Sequence, residues 1–314
     1  MFKLFTILEN AIFLFLILFI AVYGLILFYV TFKIPYESPT KESVTYSPIM
    51  CLKDLKQEKE KEVFVNRVGE YTTYNNPYRK NGVKGIKMAE ISVPVLMYHH
   101  IGNAPQNASS KTYQYYIPVE EFEKQMRYLY LADYNVVTID QLIGALEGKI
   151  TLPERSVVIT FDDLPPDQIT NGLPILKKYG FKATFFMNVN RAYNDDKYVN
   201  ALLNDGHAVG SHSYNHLDLT KIRDKNKLKF EIYESKKVLE ERYKVPFKYF
   251  AYPGCKYTSE IEIMVKEAGY EAAFSCAIPH NKKSIKDIYR LGRRLITSDF
   301  DAFIARLEDR EGIW

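Results

Sequence analysis

Hydrophobic and polar positions divide the chain into three stretches with different patterns. Residues 10–32 contain no charged side chain and are almost entirely apolar. Residues 33–90 are polar, with scattered prolines and a run of mixed charges. From residue 91 onward, short apolar runs alternate with segments whose apolar residues recur at helical spacing. Strands that alternate with helices predict a parallel sheet, so we expect an α/β domain in the third stretch.

The strand and helix patterns of the third stretch repeat often enough, in seven or eight units, to predict a barrel. Predicted strands lie at residues 91–98, 135–139, 156–161, 183–189, 207–212, 249–253, 271–276 and 293–296. Predicted helices lie at residues 118–131, 140–147, 173–179, 199–204, 225–242 and 259–268. In such barrels the active site lies at the C-terminal ends of the strands. Polar residues that directly follow a strand are therefore the candidates for chemistry.

The apolar run near the N-terminus predicts a transmembrane helix. At ~1.5 Å per residue, twenty helical residues span the ~30 Å hydrocarbon core of a bilayer. The run leads into Thr31, Phe32 and Lys33 without the small-residue pattern of a cleavage site, which favours an uncleaved anchor over a secretory signal peptide. We therefore predict a single-pass membrane anchor at residues 1–33, a linker at 34–90 and a folded domain at 91–314.

Charge and cysteine content exclude some classes of function. The formal net charge of +4 over 314 residues, without a dense basic patch, argues against a nucleic-acid-binding protein. The three cysteines, Cys51, Cys255 and Cys276, lack the C-x-x-C spacing of a metal site, and their odd number argues against a disulfide framework. A bridge between Cys255 and Cys276 is left open, with isolated buried thiols as the alternative.

Two polar clusters follow predicted strands. Asp162 and Asp163 come directly after the apolar strand at 156–161, and adjacent carboxylates repel each other unless a cation or proton lies between them. The alternative is that one of them caps a helix. His212 and His216 are four residues apart, a spacing that places both imidazoles on one side if the segment is helical.

Together the two clusters indicate a metal site more strongly than either cluster does alone. One aspartate and two histidines form a three-ligand set that leaves a metal position open, as a hydrolytic metal site requires. The other aspartate would then be available as a general base.

Four segments resemble the polysaccharide deacetylase (NodB-homology) family of carbohydrate esterases. These are TFDD, LPILKKYGFKATFF, GHAVGSHSYNH and FAYPG, and the resemblance covers roughly residues 93–296. It implies a distorted (β/α) barrel, one divalent metal ion, usually zinc, and hydrolysis of N-acetyl groups on amino-sugar polymers. By position, Asp162 corresponds to the family's catalytic base, and Asp163, His212 and His216 correspond to its metal ligands. Tyr252 and Pro253 fall in the motif that lines the substrate groove.

The family also uses a histidine as general acid, commonly in a late L-x-H motif that is absent here after residue 296. The motif LMYH instead ends the first predicted strand at His99, which resembles relatives with a circularly permuted order. A barrel makes this arrangement plausible because its first and last strands are neighbours. We therefore predict His99 as the acid, with His100 as the competing candidate and a structural histidine as the alternative.

The chain departs from the family pattern at three places. Leu164 stands where the family usually has glycine, Ala251 stands where it often has an arginine that pairs with the base, and Gly254-Cys255 replaces an aromatic-glycine pair. The first two departures motivate an alternative hypothesis of a glycan-binding relative with impaired catalysis.

The expected partners and location follow from the implied chemistry. The expected substrate is an acetylated glycan, either peptidoglycan or an exopolysaccharide of the poly-N-acetylglucosamine type. Such polymers lie outside the cytoplasmic membrane, so we expect the domain to face outward at the cell membrane. An O-acetyl esterase acting on a surface polysaccharide is a second hypothesis.

Overall fold

In the computed structural model, the described residues are 91–190, 196–276 and 281–309. Its strands are β1 (Ile91–Ser92), β2 (Val95–Tyr98), β3 (His100–Ile101), β4 (Tyr116–Ile117), β5 (Asn135–Val136), β6 (Ser156–Asp162), β7 (Thr184–Met187), β8 (Ala208–Ser211), β9 (Tyr249–Ala251), β10 (Ala272–Ser275), β11 (Lys282–Lys283), β12 (Leu291–Gly292) and β13 (Arg294–Leu295).

The α-helices are α1 (Ser110–Tyr113), α2 (Val119–Leu131), α3 (Ile139–Leu146), α4 (Leu173–Lys178), α5 (Asp196–Asn204), α6 (Lys225–Lys229), α7 (Ser235–Tyr243), α8 (Ser259–Glu267) and α9 (Phe300–Leu307). Two π-helical turns, Gln168–Gly172 and Phe230–Glu234, precede α4 and α7. Short 3₁₀ turns lie at Leu219–Lys221, Pro253–Cys255 and Ile285–Asp287.

The central sheet is parallel and runs in the order β12-β10-β9-β8-β7-β6-β2-β13, with β5 also paired to β6. The two ends of this order are joined in sequence by a single residue, Arg293, which lies between β12 and β13. The sheet therefore curls into a nearly closed barrel, which confirms the predicted α/β barrel fold. The strand predicted at 293–296 is shorter in the structure, as β13, and the strand just before it, β12 at the other end of the sheet, was not predicted.

Alternation along the strands separates the barrel interior from the outer layer. One apolar cluster, inside the barrel, takes alternate residues such as Val95, Val158 and Phe274. Their neighbours along the strands, such as Leu96 and Ile159, pack outward against the helices. Every residue of β6 is buried because both faces of this strand are covered.

Cys255 and Cys276 form a disulfide, with their Cα atoms 5.2 Å apart. The bridge that the sequence left open is thus present, and it ties the turn after β9 to the end of β10. The predicted membrane helix and linker lie outside the described residues. Within the described ranges, no helix is both long enough and apolar enough to cross a membrane.

Candidate metal centre and active site

Asp163, His212 and His216 come together at the C-terminal end of the barrel. The three residues offer ligand atoms that all lie within 4.8 Å of one another. His216 Nε2 is 3.4 Å from Asp163 Oδ1, a separation that suits two ligands bound to one ion at ~2.0–2.2 Å each. Two imidazoles and a carboxylate are a donor set that divalent transition metals favour. The described residues therefore fit a divalent metal site.

The imidazole of His212 is oriented by the backbone of β9. Its Nδ1 atom lies 2.7 Å from the carbonyl oxygen of Ala251 and donates a hydrogen bond to it. With the proton on Nδ1, the Nε2 atom keeps its lone pair and faces the cluster, the arrangement that a metal-binding histidine needs. Ala251, whose side chain replaces the family's arginine, thus contributes to the site through its main chain.

The turn that contains His216 is not helical, so the condition under which the four-residue spacing would align the two imidazoles is not met. Ser213 and His216 both adopt left-handed backbone conformations, with φ angles of 67° and 58°. The buried carboxylate of Glu231 holds this turn, because it accepts hydrogen bonds from the backbone N–H of Asn215 at 2.8 Å and from its side-chain amide at 2.6 Å. Tertiary contacts, rather than helix periodicity, bring the two imidazoles together, with their ring centroids 4.7 Å apart.

Asp162 is paired with an arginine that the sequence analysis did not assign. Both guanidinium Nη atoms of the fully buried Arg293 donate to the Asp162 carboxylate, at 2.6 and 2.7 Å. Burial acts to raise the pKa of Asp162, but the charge and hydrogen bonds of Arg293 outweigh burial and hold that pKa well below its usual range. The carboxylate is therefore ionised at neutral pH, and its Oδ2 atom lies 3.7 Å from His212 Nε2.

Arg293 makes the pairing with the proposed base that the alanine at position 251 had put in doubt. It lies between β12 and β13, where the two ends of the sheet meet, 131 residues away from Asp162 in sequence. One signal in the sequence could have indicated it, namely an arginine within a short segment otherwise typical of a buried strand. A buried guanidinium needs a carboxylate partner, and Asp162 was a candidate.

Leu164 accommodates its unusual position by packing into the outer core. Its φ angle of 51° lies in the left-handed region that favours glycine, and Asp163 before it has a φ of 74°. The Leu164 side chain is fully buried among the residues between the sheet and the helices. The substitution for glycine therefore fills the core instead of narrowing the site, and its burial offsets a backbone cost of about 1 kcal/mol.

His99 follows β2 and lies close enough to the cluster to interact with its charges. Its ring packs against Tyr115, with a centroid separation of 4.6 Å. Burial lowers the pKa of His99 to about 4, even though the negative charges of Asp162 and Asp163 act to raise it. The Nδ1 atom of His99 is buried and has no hydrogen-bond partner among the described residues.

His100, the competing candidate, is engaged elsewhere. Its Nδ1 atom lies 2.7 Å from Asp167 Oδ2, and its ring stacks on Tyr116 with a centroid separation of 4.1 Å. These two contacts hold the imidazole of His100 in a separate hydrogen-bonded pair.

Tyr252 and Pro253, predicted to contact the substrate, are both buried. The Tyr252 hydroxyl donates to the carbonyl oxygen of Tyr289 at 2.7 Å, and its ring stacks on Tyr257. Burial also raises the pKa of Tyr252 above its ordinary value. In the structure, protein neighbours contact both the ring and the hydroxyl of Tyr252, and the substrate contact of Tyr252 and Pro253 stays a prediction.

Comparison with known proteins assigns this constellation to a family. The family model described as polysaccharide deacetylase matches residues 149–273, which include both aspartates and both histidines of the site. This segment belongs to the polysaccharide deacetylase family. The deacetylase domain also shares its fold with the deacetylase PplD of Streptococcus pyogenes, at a TM-score of 0.60 and 22% identity, over 67% of this chain and 95% of that one.

Two curated relatives show how far the likeness extends. A peptidoglycan-N-acetylglucosamine deacetylase of Bacillus cereus is 36% identical over 129 residues, which is 41% of this chain and 60% of the relative. A poly-beta-1,6-N-acetyl-D-glucosamine N-deacetylase of Staphylococcus aureus is 27% identical over 252 residues, covering 71% of this chain and 85% of the relative. The chain thus spans only about three fifths of the Bacillus cereus relative.

Proposed function

We propose that this chain is a metal-dependent hydrolase that removes N-acetyl groups from an amino-sugar polymer. The observation that supports this best is the convergence of Asp163, His212 and His216 beside the ionised, arginine-paired Asp162. All of these side chains follow strands of one barrel at the end where barrel enzymes place their chemistry.

The proposed cofactor is one divalent ion, with zinc the expected metal because the donor set of two imidazoles and one carboxylate matches catalytic zinc sites. A bound zinc ion would supply Lewis acidity that polarises the acetamide carbonyl and lowers the pKa of water. The protein's own contribution is to orient the His212 imidazole through Ala251 and the His216 turn through Glu231.

Asp162 and His99 divide the proton transfers between them in this proposal. Asp162 accepts a proton from the attacking water, since its pairing with Arg293 keeps it ionised and fixed in orientation. His99 protonates the nitrogen of the leaving sugar amine, which would otherwise depart as a strongly basic amide anion. Because burial lowers the pKa of His99, this residue starts neutral, and the proton that it donates is the one that the attacking water gave to Asp162.

The two departures from the family pattern do not favour the impaired, glycan-binding alternative. Arg293 supplies the guanidinium that is missing at Ala251, and Leu164 is buried in the outer core. These contacts support an active enzyme.

The proposed substrates are peptidoglycan and poly-N-acetylglucosamine, the polymers named in the descriptions of the two relatives. We further propose that the uncharged run at residues 10–32 anchors the protein in the cell membrane with the domain outside. The disulfide between Cys255 and Cys276 supports an oxidising compartment.

Acetate release from a panel of acetylated glycans tests the proposal. The panel contains β-1,6-linked N-acetylglucosamine oligomers, peptidoglycan glycan fragments and an O-acetylated polysaccharide, each assayed with chelator and after zinc is restored. We expect zinc-dependent acetate release from at least one N-acetylated substrate. Release from the O-acetylated glycan alone would favour the esterase hypothesis, and no release above the chelated control would favour a binding protein.

A further inference from the structure

The turn that follows Asp162 and Asp163 hydrogen-bonds to the segment that contains His99. Asp167 Oδ1 accepts from the backbone N–H of Ile101 at 3.0 Å, and Asn171 Nδ2 donates to the Ile101 carbonyl at 2.7 Å. Between these two residues lies Gln168, in a π-helical turn, an element that is rare and frequently found at functional sites. The turn therefore joins the end of β6 to the end of β2.

Gln168 makes the contacts nearest to the proposed chemistry. Its Nε2 atom donates to the carbonyl oxygen of His99 at 2.6 Å and to the carbonyl oxygen of Asp162 at 2.7 Å. The Gln168 side chain is fully buried. One primary amide, which has two N–H groups, thus satisfies one carbonyl from each strand.

These two carbonyls lie where the ladder between the strands ends. The last residues paired between β2 and β6 are Tyr98 and Phe161. The residues that follow them in the chain are His99 and Asp162. Without Gln168, the carbonyl oxygens of the half-buried His99 and the buried Asp162 would both lose this donor. Leaving a buried carbonyl oxygen unsatisfied costs about 1–3 kcal/mol.

We propose that Gln168 is a positioning residue, which ties the backbone of the general acid His99 to that of Asp162, while Arg293 and the pairing with β7 hold Asp162 independently of Gln168. This inference rests on the proposed function, because it assigns the acid to His99. A general acid has to approach the leaving nitrogen to about 3 Å, and a displacement of about 1 Å can lower the rate about 100-fold. Gln168 therefore acts on the rate without touching the substrate.

The nature of the leaving group separates this role from a merely structural one. An amide substrate needs its nitrogen protonated, whereas 4-nitrophenyl acetate releases a weakly basic phenolate that needs no acid. A displaced His99 should slow acetamide cleavage and leave ester cleavage nearly unchanged. General disorder of the site would slow both reactions together.

The test compares Gln168→Leu with wild-type enzyme on an N-acetylglucosamine oligomer and on 4-nitrophenyl acetate. We expect kcat for the oligomer to fall about 10- to 100-fold with little change in KM. The rate with the aryl ester should change by less than about threefold. Zinc content should equal that of the wild type, since the two hydrogen bonds that Gln168 Nε2 donates go to backbone carbonyls and to none of the three ligand side chains. Gln168→Glu keeps the shape but, even when its buried carboxyl is protonated, retains only one of the two donors, and should show the same selective loss.

Gln125→Leu is the matched control. Gln125 is equally buried, and its Nε2 atom donates at 2.8 Å to a backbone carbonyl, that of Thr297. Gln125→Leu should lose stability but keep the wild-type ratio of oligomer to ester rates. If Gln168→Leu does not fold, Gln168→Asn, which shortens the reach of the amide, should give the selective loss.

Three results would overturn the inference. One is an equal loss of oligomer and ester cleavage in the Gln168 variants, and another is normal oligomer cleavage in Gln168→Glu. In both, wild-type enzyme still cleaves the oligomer, so the proposed function stands. The third is a wild-type enzyme that cleaves no N-acetylated glycan, in which case the proposed function fails first.

Discussion

The pairing of Asp162 with Arg293 makes each side chain dependent on the other. Both are buried, and two short hydrogen bonds join them inside the barrel. Removing one partner of such a pair leaves an uncompensated buried charge, whereas replacing both can be nearly neutral. The pair therefore affects stability as well as the ionisation of the proposed base.

Arg293→Met should lower the free energy of unfolding by about 3–5 kcal/mol at pH 7. The double variant Arg293→Met/Asp162→Asn should recover at least about half of that loss, because no charge is then left buried. Denaturant unfolding of the chelated proteins measures both values. Because the folded pKa of Asp162 is depressed, the pair stabilises the wild type above about pH 4 and this stabilisation disappears as the pH falls. Strict additivity of the two substitutions would contradict the coupling.

His99 and His100 are adjacent in sequence but have different surroundings. His99 interacts electrostatically with Asp162 and Asp163, whereas His100 is paired with Asp167. His99→Ala should retain its metal and lose about 10² to 10⁴ in the rate of acetate release, the range typical of a missing general acid. His100→Ala should lower the rate of acetate release less than His99→Ala does. Near-normal turnover in His99→Ala would leave the acid unidentified.

His207 offers a test of stability against pH away from the site. Its Nδ1 atom accepts a hydrogen bond from the Ala183 backbone at 3.1 Å, which requires a neutral ring, and burial lowers the pKa of His207 to about 4. In the unfolded chain its pKa is about 6.5, so the stabilisation is complete above that pH and is lost as the pH falls towards 4.

The His207→Gln variant keeps an acceptor but does not titrate. We expect its unfolding free energy to fall less between pH 6.5 and pH 4 than that of the wild type, by about 1–3 kcal/mol. Chemical denaturation at a series of pH values gives the difference. Parallel curves for the two proteins would show that His207 does not titrate as its burial implies.

Among the elements, strands β7 and β9 both pack closely against β8 at Gly210. A Cβ atom on Gly210 would lie 2.5 Å from the ring of Phe186 and 3.1 Å from the carbonyl oxygen of Tyr249. This contact occurs two residues before His212, so the packing of the strand also sets the position of that imidazole. A glycine is needed here for close approach.

Gly210→Ala should destabilise the protein by about 1–3 kcal/mol, because Phe186 has to leave its place inside the barrel. Gly144→Ala in helix α3 is the matched control, since its added Cβ would meet nothing closer than 3.4 Å. The control should be neutral or more stable by up to about 1 kcal/mol. Thermal unfolding compares the two, and equal stability would contradict the close packing at Gly210.

Long apolar runs made most elements predictable from the sequence. The strand at 156–161 was recognised because both of its faces are buried. The predicted helix at 225–242 corresponds to an unbroken run of helical turns, of which the middle one, Phe230–Glu234, is π-helical. Strands β12 and β13, of two residues each, are too short for periodicity to delimit. Their separation at Arg293 depends on barrel closure, which is a property of the whole sheet.

The part of the candidate site that was predictable consists of residues that are close together in sequence. The aspartates and histidines of the site occur in local motifs, so spacing and resemblance indicated them. Three other residues contact the site only through tertiary structure, with partners far away in sequence. These are Arg293, which is 131 residues from Asp162, Gln168, which is 69 residues from His99, and Glu231, which is 16 residues from Asn215. The motif placed Tyr252 after β9, but a motif does not reveal which way a side chain points, so its substrate contact stays a prediction.

At the scale of the whole molecule, closure of the barrel brings distant parts of the chain to one end. Strand β13 pairs in parallel with β2, so the end of the domain lies beside its beginning. A histidine after the first long strand can therefore reach a site built from β6 and β8. This adjacency supports His99 as a substitute for the late histidine that is absent here.

The central claim is that Asp163, His212 and His216 bind one divalent cation on which deacetylation depends. Its most direct test is the zinc content per chain, measured by elemental analysis after equal exposure to zinc and dialysis. Wild type and the His207→Gln control, which alters a buried histidine outside the cluster, should each retain about one ion. His212→Ala should retain almost none and release no acetate. Full zinc retention in His212→Ala would contradict the assignment of the site.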